Sequence, residues 1–433
     1  MTDTGARLRA SAARCVAQVV SGRSLKTVLA LERAVFADPR DRALLEAIVV
    51  DTVRHRRRLE SALGHYMEKP LDRRDPCGHS LLLTGLAQLH VLELPAHAAV
   101  SETVAAARLL GLGARAGLIN AVLRRSQREG LPDSSDIAIS ESHPDWLIEN
   151  LKTDWPDDWC GIVRANNRIA PLWLRVNATR VDRATVAEAL REKSFEFFLP
   201  DCPRNAILVQ NAIAPTRLPG WDAGDITVQD LSAQLAAEAL APKPGETLWD
   251  MCAAPGGKSA QLAEARPAAM LLTDTDPVRI DKIRDLFQRL GLPHAGVVLQ
   301  AWDATQPLPS AWPQVFDAIL LDAPCSATGI IRRQPDVKWH RQAKDIGRLN
   351  VLQWRLLKNA WRHLKPGGRL LYSTCSVLKA ENADLIDQFL HQHEDAAVLP
   401  LSERFGRVSG AGRQRFPGDD EGDGFFYALL ERK

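Results

Sequence analysis

Hydrophobic residues in the first 140 positions recur at the three- and four-residue spacing of α-helices. The stripes cover 8–20, 44–67, 81–92, 99–110 and 118–123, and the second reads as one continuous pattern. Turn-forming pairs such as Asp75-Pro76 and Leu94-Pro95 separate them. This pattern predicts an all-α helical bundle, and we place a first domain at 1–140.

The pattern changes at 131–136, where proline, aspartate and serine indicate a linker. Short alternating segments then predict three strands, and a helical pattern lies between the first and the second. The strands are 172–176, 195–199 and 206–209, and the helix is 183–193. We therefore predict a small α+β module over 141–225.

Strand and helix patterns alternate from residue 226 to the end of the chain. Strands are predicted at 247–249, 270–273, 297–300, 318–321 and 369–372, with helices that include 283–290 and 346–364. Such alternation predicts a parallel, doubly wound α/β domain over 226–433, Rossmann-like, with ligands at the carboxyl ends of the strands. A last strand at 425–430 is expected to be antiparallel, at an edge of the sheet.

Composition narrows the class of protein. The chain has 433 residues, too many for one ordinary core, and is 45% hydrophobic and 25% charged. No apolar run approaches the ~20 residues of a membrane span, and the first residues lack the apolar stretch of a secretory signal. The seven cysteines follow no regular framework, which indicates a reducing compartment. We expect a cytoplasmic monomer that does not associate with membranes.

Positive charge is concentrated near the N-terminus although the net charge is only +2. Residues 1–140 contain 20 Lys and Arg against 15 Asp and Glu, and arginines cluster at 54–58, 73–74 and 124–128. Clustered arginines are typical of contacts with a phosphate backbone. A solvated helix face explains them equally well.

A loop of small residues follows the first strand of the alternating region. Asp250 ends that strand, and the loop leads through Gly256 and Gly257 into a helix. Glycines let a ligand approach the backbone closely. The loop is neither a P-loop nor the three-glycine dinucleotide fingerprint.

Acidic residues follow the next three strands, at Asp274, Asp303 and Asp322. An acidic residue after the second strand commonly holds ribose hydroxyls, and Asp303 is placed to contact an adenine amino group. The alternative is that such residues cap turns and helices, which we favour for Asp276. Without a pyrophosphate fingerprint, the best fit is a nucleoside cofactor without phosphates, S-adenosylmethionine.

Two cysteines, Cys325 and Cys375, follow two of the predicted strands. Adjacent strands lie about 4.8 Å apart, so both thiols would reach one small substrate. Methylation of carbon-5 of cytosine needs a thiolate that adds to carbon-6 and a base that later removes the carbon-5 proton. Nearby Arg332, Arg333 and Lys338 are expected to favour a thiolate at Cys325.

The other cysteines are interpreted as core residues, because free cysteine is often a small buried side chain. They are Cys15, Cys77, Cys160, Cys202 and Cys252. Cys325 and Cys375 lack the Cys-x2-Cys or histidine partners of a zinc site, so no metal is expected. They also lack the local Cys-x-x-Cys form of a redox disulfide.

Three segments resemble motifs of RNA 5-methylcytosine methyltransferases of the NOL1/NOP2/Sun type. They are 250–258, 322–326 and 374–376. The stretch 330–339 also fits, with Gln334 where a histidine is more usual. Residues 1–140 resemble the helical RNA-binding domain of the antitermination factor NusB, most clearly at 41–44, 95–104 and 118–124. This layout is that of bacterial family members that methylate a cytidine of 16S ribosomal RNA.

The resemblance implies a role for each matching residue. Cys375 matches the nucleophile that attacks carbon-6, and Cys325 matches the second cysteine, which assists product release. The cofactor loop is matched by Cys252, Ala253, Ala254, Pro255, Gly256, Gly257 and Lys258, and its acidic partners by Asp274, Asp303 and Asp322. Lys258 either lines the catalytic cleft or only begins the helix.

The sequence therefore predicts an S-adenosylmethionine-dependent RNA cytosine-5 methyltransferase that acts on 16S ribosomal RNA. One alternative is the same reaction on transfer RNA. Another is a non-catalytic RNA-binding factor of ribosome assembly, against which the intact cysteine pair argues.

Overall fold

The computed structural model describes residues 3–69, 71, 75–210, 213–293 and 295–433. Arg73 and Arg74, two of the clustered arginines, lie outside the described residues. The chain divides into two compact units. The first comprises Met1–Arg168 and Ile331–Gln342, and the second comprises Ile169–Ile330 and Ala343–Lys433.

The first unit is helical over its described part, as the hydrophobic spacing predicts. Its helices, numbered along the whole chain, are α1 (Asp3–Val20), α2 (Leu25–Arg33), α3 (Pro39–Arg54), α4 (Arg56–Tyr66), α5 (Pro76–His90), α6 (Ala96–Leu109), α7 (Ala116–Glu129), α8 (Ile137–Ser140), α9 (Asp145–Asp154), α10 (Trp159–Ala165) and α15 (Val337–His340). The Asp-Pro pairs start helices: Asp38 and Asp75 accept hydrogen bonds from the backbone N–H groups of Arg40 and Gly78.

The continuous helix predicted over 44–67 is wrong. The chain leaves helical geometry at His55, with φ −103° and ψ 17°, and α4 begins at the next residue. Apolar spacing runs through this break because Val53 and Leu59 are both buried, although in different core clusters. Periodicity reports burial and does not show whether two buried positions share one helix.

A buried lysine connects α15 to other residues of the first unit through hydrogen bonds. Nζ of Lys338, 1% exposed, donates to the carbonyl oxygens of Arg54 and Ser142, each at 3.0 Å, and to Asn167 Oδ1 at 2.7 Å. The residues 331–342 therefore pack with the N-terminal helices, although they follow the Cys325 loop directly in sequence.

Replacing Lys338 with methionine should destabilise the first unit by about 3 kcal/mol, because three buried acceptors would lose their donor. Hydrogen exchange of the amides in α3 and α4 measures the loss. Lys26→Met, at an exposed position of α2, is the matched control and should leave exchange unchanged. Equal protection in both variants would contradict the assigned role of Lys338.

The second unit contains a small antiparallel sheet. Its strands are β1 (Leu172–Val176), β2 (Phe197–Phe198), β3 (Ala206–Val209) and β4 (Ile226–Val228), in the order β2-β3-β1-β4, and α11 is Arg183–Glu192. β1, β3 and α11 closely match the segments predicted from sequence. The sheet extends through β4, just past residue 225.

A nine-stranded sheet forms the core of the second unit. Its strands are β5 (Thr247–Asp250), β6 (Ala269–Asp274), β7 (Val297–Ala301), β8 (Phe316–Asp322), β9 (Leu364–Thr374), β10 (Ala396–Leu399), β11 (Arg407–Ser409), β12 (Gly412–Arg415) and β13 (Phe425–Arg432). The order is β11-β12-β13-β9-β8-β5-β6-β7, and β10 pairs with β13. The five strands from β5 to β9 are parallel, as predicted.

Helices cover both faces of this sheet. They are α12 (Leu231–Leu240), α13 (Gly257–Ala263), α14 (Pro277–Leu290), α16 (Ala343–His363) and α17 (Ala383–Gln392). The first three contribute to one apolar cluster, and the last two to the cluster on the other face. Covering both faces explains why the parallel strands read as continuous apolar runs.

The last strand is antiparallel to β9, as predicted, but its predicted place at an edge is wrong. β12 pairs with the first half of β13, and β10 pairs with its second half. Residues 407–409 and 412–415 carry arginine and glutamine and lack the apolar alternation of a strand. β12 forms because the first half of β13 offers an open edge, and β11 then pairs with β12.

Candidate active site

Two neighbouring strands bring two cysteines to one point. β8 and β9 pair in parallel, with Asp322 opposite Ser373. Cys325 and Cys375 follow those residues within a few positions, and their sulfur atoms lie 3.4 Å apart. Both are free cysteines. The spatial convergence predicted from the sequence is present in the fold.

The two thiols have different surroundings. Cys325 is 8% exposed, whereas Cys375 is only half-buried and is the more accessible of the two. The hydrogen bond with Cys375 and burial raise the pKa of the Cys325 thiol well above its usual value. Cys325 therefore keeps its proton at neutral pH, which leaves Cys375 as the thiol that is open to a substrate.

A lysine and an aspartate form an ion pair at the same edge of the sheet. Lys258 Nζ lies 2.7 Å from Asp322 Oδ2, and Ser373 Oγ donates to Asp322 Oδ1 at 3.1 Å. Burial disfavours the charge on Lys258, but the Asp322 carboxylate outweighs burial and Cys375 adds to it, so the pKa of Lys258 is raised. Lys258 is thus a fixed positive charge that a Cys375 thiolate would interact with.

The sequence suggested different cations near the thiols, namely the three basic residues that follow Cys325 in the chain. Lys338, one of them, donates to three acceptors within the first unit. The prediction that Arg332, Arg333 and Lys338 favour a thiolate at Cys325 is wrong, because the hydrogen bond with Cys375 and burial raise the pKa of that thiol.

The cofactor loop joins β5 to α13. Gly256 has φ +100°, and a Cβ there would lie 3.2 Å from Ile283, so the loop needs glycine at this position. Asp274, at the end of β6, is 5% exposed and accepts from the backbone N–H of Ala254 at 3.3 Å. Loop and carboxylate therefore lie side by side.

Two buried polar atoms close to this loop lack a hydrogen-bond partner among the described residues. They are Oδ1 of Asp250, an acceptor, and Nε1 of Trp302, a donor. Trp302 follows β7, and its backbone N–H donates to the carbonyl oxygen of Asp274. An unpaired acceptor and an unpaired donor beside a ribose-type carboxylate fit a ligand that carries an amine, hydroxyls and a purine ring.

The remaining predicted residues hold the loop or its surroundings. The backbone N–H of Ala253 donates to the carbonyl oxygen of Thr273, and Gly257 begins α13. Cys252 is half-buried and packs against the apolar cluster that includes α16 and α17, whereas Pro255 is exposed. Asp303 is exposed, and its Oδ1 accepts from the N–H of Thr305 at 2.9 Å. This hydrogen bond is of the kind that caps a turn. Asp276 caps α14, as expected.

Burial raises the pKa of Asp250 from 3.8 to about 7. Because the folded state holds this proton more tightly than the unfolded chain, stability should fall by about 1.4 kcal/mol per pH unit between about pH 4 and pH 7. Asp250→Asn should lack this slope. Urea unfolding of both proteins between about pH 5 and pH 8 checks it, and parallel slopes would refute a protonated Asp250.

The sequence reasoning missed Glu381, which lies six positions after Cys375 and is fully buried. Its carboxylate accepts hydrogen bonds from residues beside both cysteines. No local motif identifies Glu381 as a site residue. The one sequence feature that could have suggested it is its short distance from Cys375 in the chain.

A parallel sheet with a glycine loop after its first strand and an acidic residue after its second defines a Rossmann-like methyltransferase domain. The chain matches the family models "16S rRNA methyltransferase RsmB/F" over 237–431, "NusB family" over 6–128, and "Methyltr_RsmF/B-like, ferredoxin-like domain" over 143–215. The predicted fold class, a helical NusB-like bundle, a small α+β module and a Rossmann-like methyltransferase domain, is confirmed.

The particular family follows from full-length relatives. The chain is 48% identical over 430 residues to the ribosomal RNA small subunit methyltransferase B of Xanthomonas campestris, covering 98% of this chain and 97% of that protein. It is 45% identical to the enzyme of the same name from Xylella fastidiosa, over 99% of both chains. The chain belongs to the ribosomal RNA small subunit methyltransferase B family.

Solved structures agree on the fold. The crystal structure of PH0851 has a TM-score of 0.83 at 24% identity and covers 98% of this chain and 99% of that one. A methyltransferase homologue from Pyrococcus horikoshii has a TM-score of 0.60 at 30% identity, covering 69% of this chain and 98% of its own. Among the residues that the structure describes, no helix could cross a membrane, and no cluster of acidic, histidine or cysteine side chains could hold a metal.

Proposed function

We propose that this chain transfers a methyl group from S-adenosylmethionine to carbon-5 of a cytidine in 16S ribosomal RNA. The observation that carries the proposal is the pair of sulfur atoms 3.4 Å apart at the carboxyl ends of two parallel strands. One pyrimidine ring can lie against both thiols at that separation. The curated relatives, named for small-subunit ribosomal RNA, indicate the substrate.

Cys375 is the proposed nucleophile, because it is the more accessible thiol and the positive charge of Lys258 lies at the same edge of the sheet. Its attack on carbon-6 breaks the 5,6 double bond and makes carbon-5 nucleophilic. S-adenosylmethionine, when bound, supplies the electrophilic methyl group. Solvent water then takes the carbon-5 proton, the electrons of that C–H bond restore the double bond, and the Cys375 thiolate is expelled.

Cys325 is proposed to act in this last stage. Its sulfur lies 3.4 Å from the sulfur of Cys375, and because its raised pKa keeps it a thiol, it can donate a hydrogen bond to the thiolate as that thiolate leaves carbon-6. The Asp322 carboxylate, bound by Lys258 and Ser373, lies at the edge of the sheet where the cytosine ring must bind. A carboxylate at this place can accept a hydrogen bond from the exocyclic amine of cytosine.

The cofactor residues keep their proposed roles. The loop 252–258 would surround the methionine part, Asp274 would hold the ribose hydroxyls, and Asp303 would lie towards the adenine. The close approach of the loop to the Asp274 carboxylate and the unpaired atoms of Asp250 and Trp302 support this assignment. The protein is proposed to act in the cytoplasm as a monomer.

The N-terminal helical unit is proposed to bind RNA through its arginines. Arg124, one of the clustered arginines, has an exposed side chain that a phosphate backbone can reach, whereas the exposed Arg40 forms an ion pair with Asp38. The target base must leave its stack to reach the thiols, so a loop or an incompletely folded RNA suits the site better than a rigid duplex.

Bisulfite sequencing of ribosomal and transfer RNA from cells with and without this protein tests the proposal. We expect one cytidine of 16S ribosomal RNA to lose its protection from conversion when the protein is absent. Loss of protection in a transfer RNA alone would favour the alternative substrate. Unchanged protection everywhere would favour a non-catalytic assembly factor.

A further inference from the structure

A buried carboxylate lies directly behind the two cysteines. Glu381 is 0% exposed, and its Oε2 accepts from Ser326 Oγ at 2.5 Å and from Ser376 Oγ at 2.6 Å. Its Oε1 accepts from the backbone N–H of Ser326 at 2.8 Å and from Gln353 Nε2 at 3.1 Å. Four uncharged donors thus satisfy one carboxylate inside the protein.

The two serines are the residues that immediately follow the two cysteines in sequence. Ser326 follows Cys325, and Ser376 follows Cys375. On the basis of the proposed function, we infer that Glu381 is a positioning residue that fixes both thiols relative to each other by binding the serine that follows each one. It does not touch the substrate, so it is not a catalytic residue.

Further contacts hold the carboxylate and the turns in place. Gln353, in α16, donates from the same amide group to Glu381 and to the carbonyl oxygen of Pro324 at 3.0 Å. The Tyr372 hydroxyl donates to the backbone carbonyl of Glu381 at 2.7 Å. Pro324, through Gln353, and β9, through Tyr372, are therefore both connected to Glu381.

A direct backbone contact links the two loops as well. The N–H of Gly329 donates to the carbonyl oxygen of Cys375 at 2.8 Å, and a Cβ at Gly329 would lie 2.3 Å from the carbonyl oxygen of Gly424. The strands and this contact set the approximate position of the sulfurs. Glu381 adds a bond to each turn at the residue next to the sulfur, where a shift alters the reacting atoms most.

The chemistry of the group explains why a carboxylate is needed. An ionised carboxylate accepts in all directions, whereas an amide must present two donors to one side. Facing two hydroxyls and two N–H donors, a carboxylate satisfies all four at once. A glutamine would keep the size and one oxygen, and the hydroxyls could rotate to accept from its NH2 group.

The first test compares Glu381→Ala with Glu381→Gln in a methylation assay on 16S ribosomal RNA. We expect Glu381→Ala to lower kcat by about 100-fold, the effect of misplacing reacting groups by about 1 Å. KM for RNA and Kd for S-adenosylmethionine should change less than about threefold, because neither ligand meets this residue. Glu381→Gln should recover kcat to within about tenfold of the wild type.

The second test separates the contact of Glu381 with Ser326 from its contact with Ser376. Ser376→Ala should slow formation of the covalent enzyme–RNA adduct, and Ser326→Ala should leave that step unchanged but slow release of the product. Each serine change combined with Glu381→Ala should be strongly non-additive, because residues of one network share one effect. These serine variants carry the test if Glu381→Ala does not fold.

Wild-type kcat in Glu381→Ala, or additive effects in both double variants, would overturn the inference. So would a loss explained wholly by weaker cofactor binding. The wild type and Cys375→Ala are assayed in parallel. A wild type without methylation contradicts the proposed function, whereas an active wild type with a fully active Glu381→Ala contradicts only the role of Glu381.

Discussion

Cys375→Ala should lower methyl transfer by at least about 10⁴-fold, because without the thiol nothing adds to carbon-6 and carbon-5 stays unreactive. Binding of S-adenosylmethionine should be unchanged, since the cofactor loop follows β5 and the nucleophile follows β9. Incorporation of a labelled methyl group into 16S ribosomal RNA measures the first quantity, and calorimetric titration measures the second.

Cys202→Ala is the matched control for this change. Cys202 is also a half-buried free cysteine of the second unit, but it contacts Glu238 and Arg404 and not the thiol pair. It should keep full activity. Normal turnover by Cys375→Ala would refute the nucleophile assignment, and a parallel loss in Cys202→Ala would point to a general effect of removing a thiol.

Cys325→Ala should stall the enzyme after methyl transfer. The first turnover should proceed within about tenfold of the wild type, because Cys375 and its Lys258 charge remain. Later turnovers should slow by about 10²–10³-fold, the usual contribution of a positioned proton donor or acceptor. Denaturing electrophoresis should therefore reveal a covalent enzyme–RNA complex that the wild type does not accumulate.

The double variant Cys325→Ala/Cys375→Ala is the control for this second result. It should form no complex, because the bond to carbon-6 needs Cys375. A clean gel with full turnover by Cys325→Ala would contradict a role in product release. A complex that persists in the double variant would show that another residue forms the bond.

Much of the catalytic unit could be predicted from its sequence. Parallel strands buried on both faces read as apolar runs, so the sequence locates β5 to β9, and most of the predicted site residues lie at the end of a strand or in the loop that follows it. Adjacency of β8 and β9 then places both thiols together. The local sequence pattern predicts the position of the site because the predicted site residues lie near the ends of strands that the same pattern locates.

Features that depend on contacts distant in sequence could not be predicted. The buried residue Glu381 meets Ser326 and Gln353 only because β8, β9 and α16 pack together. Lys338 follows the Cys325 loop by thirteen positions yet belongs to the N-terminal unit. Proximity in sequence assigned it a charge effect at Cys325, whereas its hydrogen bonds in the fold give it a structural role.

The most direct test of the two-thiol site is to identify the residue bonded to RNA in Cys325→Ala. The complex is digested with nuclease and protease, and tandem mass spectrometry locates the nucleotide. A methylated cytidine on the Cys375 peptide is the expected result. A nucleotide attached to any other residue, or a peptide map without a covalent nucleotide, would contradict the proposal that Cys375 forms the bond to cytosine.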